Sequence, residues 1–209
     1  MATVVAQVAP RIILPSFFIG QKVITMNDRE EIAQTIAFSA LFVCATFAFF
    51  STPYWIGIIP AVAAWSYWNM LRDKQNKQTY RYVDWSITTP LMLLAILVSL
   101  KAPIESIIGI ILCDILMIGT GYLGVTTEDK QKKFGYFFVG MLAFLPIIYT
   151  LLTQQTNKAA IYLTLGTWIL YPIVWSLEEF KAVEEKNITV IYSVMDMIAK
   201  IGLVNLLHI

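Results

Sequence analysis

Asp196 and Lys200 lie four residues apart inside a run of apolar residues, so a carboxylate and a primary amine share one face of a helix. Ionisable groups embedded in apolar sequence are costly to hold and mark sites of chemistry. A second set opens another apolar run: Arg81, Asp84 and Thr88 fall on one stripe, with Thr88 placed to hydrogen-bond the Asp84 carboxylate. Asp114 supplies a further carboxylate in the run that follows. A lysine facing two carboxylates and an arginine makes a nearly neutral cluster, the kind lipid depth tolerates. Such a cluster can lock two helices together. It can also present the amine as a nucleophile toward an aldehyde.

The elements that must position these groups are membrane spans. Of 209 residues, 58% are hydrophobic and only 14% charged, against roughly 45–50% apolar and 25% charged in soluble domains. A net charge of +1 argues against nucleic-acid binding. Cys44 and Cys113 sit within apolar runs and read as small packing residues. Seven runs are long enough to cross a bilayer: residues 32–51, 54–71, 82–100, 104–125, 136–152, 159–177 and 188–207. Short polar connectors between them force antiparallel neighbours. The expected fold is therefore an all-α membrane protein, a seven-transmembrane-helix up-and-down bundle occupying residues 29–209. Residues 1–28 form an N-terminal segment without signal-peptide character, and its apolar stretch from Ile12 to Thr25, broken by Pro15, reads as partly interfacial.

Aromatic residues add shape to the cluster. Trp168, Tyr171, Pro172 and Trp175 fall at i, i+3, i+4 and i+7, one helical face. Trp85 stands beside Asp84, and Asp114, Met117 and Gly121 share a face of the fourth run. Stripes of this kind commonly serve packing alone. Combined with a buried lysine they outline a long apolar slot with an amine at one end, suited to an elongated apolar aldehyde.

In sequence order, Arg81-Tyr-Val-Asp84-Trp85-Ser-Ile-Thr88-Thr89-Pro90, Asp114-Ile-Leu-Met117-Ile-Gly119-Thr120-Gly121, Trp168-x-x-Tyr171-Pro172-x-x-Trp175 and Asp196-x-x-x-Lys200 resemble the motifs of microbial (type 1) rhodopsins, across nearly the whole chain. The resemblance implies all-trans retinal bound to Lys200 as a covalent Schiff base, which makes the protein a photoreceptor that transports ions rather than an enzyme. It implies Asp84 and Asp196 as counterions, with Asp84 the proton acceptor. Arg81, Thr88 and Tyr67 would line the proton pathway. Trp85, Thr89, Met92, Asp114, Met117, Gly121, Trp168, Tyr171, Pro172 and Trp175 would form the retinal pocket, with apolar Met92 at the colour-tuning position favouring green absorption. No metal is implied. The implied partners are the lipid bilayer, protons or small cations, and further copies of the chain in a trimer or pentamer.

Departures from the family pattern set the expected activity. Proton pumps usually place a carboxylate where this chain has Ala95, so reprotonation should be slow. Paired outer glutamates are not matched at Phe180 and Ile188, although Glu178 and Glu179 lie close. Asp84 excludes the chloride-pump pattern, and the sodium-pump pattern is absent. The short loops are like those of some viral members. Slow light-driven proton transport is the expected function. A light-gated cation channel is the alternative, disfavoured by the lack of acidic residues from Ile32 to Leu71, and a photosensor comes third. Orientation has two readings. Arg11, Lys22, Arg29, Arg72, Lys74, Lys77, Lys130, Lys132, Lys133, Lys181 and Lys186 share the N-terminal side, against Lys101 and Lys158 opposite, which places that side in the cytoplasm. Family resemblance places it outside.

Overall fold

The computed structural model describes residues 29–51 and 53–207. The expected interfacial stretch from Ile12 to Thr25 lies outside these residues. Among them are seven α-helices: α1 (Arg29–Ser51), α2 (Ile58–Arg72), α3 (Lys77–Ser99), α4 (Ile104–Thr126), α5 (Lys130–Leu152), α6 (Lys158–Glu179) and α7 (Glu185–Leu207). Sequential helices pack side by side, and α7 returns against α1 to close the ring, with α3 and α7 also meeting across its middle. That is the expected up-and-down bundle.

Among the described residues, six helices are long and apolar enough to cross a membrane. The second is shorter. Pro60 lies in its first turn, where a residue without an N–H is best tolerated, and the regular helix starts just upstream of it at Ile58. Tyr54–Gly57 instead forms a 3-10 turn. With a rise of about 2 Å per residue, this turn lengthens the 15-residue helix to roughly 30 Å, a hydrocarbon thickness.

Helices α1, α3, α5, α6 and α7 begin earlier than their apolar runs. Asp129 caps α5 by accepting from the backbone N–H of Gln131 at 2.9 Å and of Lys132 at 3.3 Å. Polar residues therefore form its first turn. Glu30 and Glu31 begin α1, where the helix dipole favours acids. Glu30 pairs with Lys77 at the start of α3 and Glu31 with Lys74 in the 3-10 turn just before it, and Lys77 also reaches Glu185 of α7 at 3.7 Å. Between α2 and α3, Asp73 accepts from Asn76 at 2.8 Å and Tyr80 at 3.2 Å, and the Asn76 bond holds its carboxyl below the usual range.

Side-chain polarity is inverted relative to a water-soluble bundle. Phe47, Phe50 and Tyr149 are more than two thirds exposed, whereas Arg81, Asp84, Asp114, Asp196 and Lys200 are buried. With lipid outside, the polar groups must find their partners inside the ring.

Candidate functional site

The α7 helix carries Tyr192, Asp196 and Lys200 at four-residue spacing, so all three face the ring interior. The Lys200 ammonium donates to Asp84 Oδ2 at 2.5 Å and to Asp196 Oδ1 at 3.3 Å. The two carboxylates differ sharply in their other partners. Asp196 also accepts from Tyr171 at 2.6 Å, from Tyr67 at 2.8 Å and from the Trp85 indole at 3.3 Å. Asp84 Oδ2 meets the lysine alone, and Asp84 Oδ1 has no partner among the described residues. Four donors spread and stabilise the Asp196 charge, whereas Asp84 keeps an open acceptor.

Several expected contacts are placed differently. Thr88 donates to the main-chain carbonyl of Asp84 at 2.9 Å rather than to its carboxylate, a short bond back along its own helix. Arg81 is buried but forms no ion pair with either aspartate among the described residues. Its Nη1 donates to Gln78 at 2.9 Å, and its guanidinium carbon lies 4.2 Å from the Tyr192 ring centre. Gln78 then donates from its other end to Glu178 at 3.0 Å. A polar chain thus runs from Arg81 toward the N-terminal end of α3 and the C-terminal end of α6.

Beyond the amine lies an elongated cavity, enclosing and opening onto about 900 Å³ of space in all. Trp85, Thr89, Met92, Met117, Gly121, Trp168, Tyr171, Pro172 and Trp175 all line it, as does Lys200. Asp114, expected among them, does not. It faces α3, where Thr89 donates to its Oδ2 at 2.8 Å, and so stands behind the wall. Gly121 leaves room that side chains would fill: a Cβ there would sit 3.0 Å from the Tyr82 ring. An apolar, aromatic-walled slot ending on one amine fits an elongated apolar aldehyde.

The α5 side of the slot had no counterpart in the sequence reading. Tyr136, Phe137, Gly140, Met141 and Phe144 line it at helical spacing. No ionisable residue marks that face, so only the i, i+4, i+8 recurrence pointed to it. Gln78 was missed because it precedes the apolar run, although it lies three residues from Arg81 on the same stripe.

On the Ala95 side of Lys200 the interior is largely aliphatic. Leu93, Ile96, Leu97, Ile147, Leu151, Ile161 and Leu203 are buried in one cluster, and Ala95, next to Ile96 in α3, is buried as well.

The family described as bacteriorhodopsin-like protein matches residues 31–209. The chain is 34% identical to the opsin-like protein carO of Fusarium fujikuroi, over 57% of this chain and 43% of that protein. It is 30% identical to bacteriorhodopsin of Halobacterium salinarum, over 69% of this chain and 65% of that protein. It thus spans less than two thirds of the length of both relatives. Thermophilic rhodopsin from Rubrobacter xylanophilus is similar in structure, with a TM-score of 0.77 at 26% identity, covering 86% of this chain and 94% of that one.

Proposed function

The chain belongs to the bacteriorhodopsin-like family of microbial rhodopsins, and on that footing we propose that it moves protons across a membrane under light, with slow turnover. The family cofactor is retinal, and Lys200 is the residue that would hold it, along the slot walled by Trp85, Met92, Met117, Trp168, Tyr171 and Trp175. Bound there, retinal supplies light absorption and a change of shape on isomerisation.

One observation carries the assignment of the proton's first step: the lysine nitrogen lies 2.5 Å from Asp84 Oδ2, while the other Asp84 oxygen is unpartnered. A proton leaving Lys200 Nζ has Asp84 as its receiver. Asp196, already holding the hydroxyls of Tyr67 and Tyr171 and the Trp85 indole, keeps its charge and anchors the lysine. Tyr192 and Gln78 hold Arg81 beyond the pair, and Glu178 stands at the end of that chain.

Return of a proton to Lys200 must cross the aliphatic cluster that includes Leu93, Ile96 and Leu97, where Ala95 supplies no carboxylate. That barrier sets the slow turnover. It also disfavours the channel reading, because a continuous hydrated path would have to pass Leu93, Ile96, Leu97 and Ile147. The N-terminus is assigned to the extracellular side, following the family, and labelling of an N-terminal tag on intact cells tests this.

Voltage-clamped cells expressing the protein with retinal test the function. A photocurrent that keeps one sign at all voltages is expected. A current that reverses with the ion gradient would make the protein a channel, and none at all would favour a sensor.

A further inference from the structure

We propose that the seam between α5 and α6 is a lateral portal, gated by Met141, through which retinal enters the slot directly from the bilayer. The proposal rests on the reading that this slot holds retinal. The walls of the cavity are unequal. Those from α3 and α7 are closed, with Trp85, Met92, Ala199 and Lys200 all buried. Along the α5–α6 seam, Phe137, Met141, Pro172 and Trp175 are only half-buried although they line the same cavity. This seam is also the loosest between sequential helices.

What does join α5 to α6 is concentrated in two places. Toward the start of α5, Phe137 stacks on Trp175 with ring centres 4.4 Å apart, Phe134 meets the edge of Trp175 at 6.0 Å, and Lys133 pairs with Glu179 at 2.8 Å. Deeper, Phe144 packs near Trp168 at 6.4 Å. Between these two levels stand Met141 on α5 and Pro172 on α6, one turn from each aromatic pair. No hydrogen bond or ring contact crosses the seam there among the described residues. A thioether on three rotatable bonds is the side chain best suited to swing aside and close again. Opening this point breaks no polar interaction, and the bilayer outside already dissolves an apolar ligand.

The test uses retinal-free protein in lipid vesicles containing all-trans retinal, following the appearance of colour over time. Met141→Trp, which fills the seam, is expected to slow colour formation about tenfold, equivalent to some 1.4 kcal/mol of added barrier. Met141→Ala is expected to speed it. Gly109→Leu, at a position with nothing within 4 Å, serves as the control at the wild-type rate. Equal rates for Met141→Ala and wild type would overturn the portal, whatever Met141→Trp does. Failure of every protein to colour would instead refute retinal binding in this slot.

Discussion

Removing the Lys200 amine should leave Asp84 as the most exposed flaw in the interior, because the lysine is its sole side-chain partner among the described residues. Asp196 would keep three donors from Tyr67, Trp85 and Tyr171. Breaking one side of a buried ion pair typically costs 3–5 kcal/mol. For a chain of this size each kcal/mol lowers Tm by about 2–4 °C, so Lys200→Ala should lower the Tm of the retinal-free protein by roughly 10 °C. Adding Asp84→Asn removes the uncompensated charge and should recover most of that loss. Adding Asp196→Asn instead should recover little, since its charge remains bonded. Thermal unfolding of the three variants in detergent at neutral pH reads the difference. Equal rescue by both aspartate substitutions, or no rescue by Asp84→Asn, would refute the unequal partnering of the two carboxylates.

Ala95→Asp places a carboxylate in the aliphatic half of the bundle and should speed the slow phase of absorbance recovery after a flash; an unchanged decay would show that reprotonation is limited elsewhere. Gly121→Leu should weaken retinal uptake at equilibrium, because its Cβ would already lie 3.0 Å from Tyr82, and titration of the apoprotein with retinal measures this. Lys181 ends α6 at φ 53°, in the left-handed region, while the Ala182 N–H bonds the Leu177 carbonyl at 2.9 Å. Lys181→Gly should therefore stabilise the protein by about 1 kcal/mol, seen as a small rise in Tm without change in absorption.

The spans were legible because lipid demands long apolar runs and the connectors between them are short and polar. Their ends were less so: Lys130 and Lys77 join helices because caps and ion pairs satisfy polar first turns that hydropathy excludes. In α2, the expected first turn takes 3-10 geometry ahead of Pro60. The charged pair on α7 and the aromatic stripe on α6 stood out because those residue types are conspicuous in apolar sequence. Asp114 shared a helical face with Met117 and Gly121, yet a stripe spans enough arc for one member to face α3 and another the cavity. Arg81 shows the same limit. Its stripe pointed toward the carboxylates, but a long side chain can turn along the helix, and it found Gln78 and Tyr192.

Light-driven proton movement itself is tested most directly by illuminating retinal-loaded vesicles and recording external pH. A sustained pH change that a proton uncoupler collapses is expected, together with its loss in Asp84→Asn protein that still binds retinal. A pH change undiminished by Asp84→Asn, or none in the wild type despite full colour, would contradict transfer from Lys200 to Asp84 as the step that drives transport.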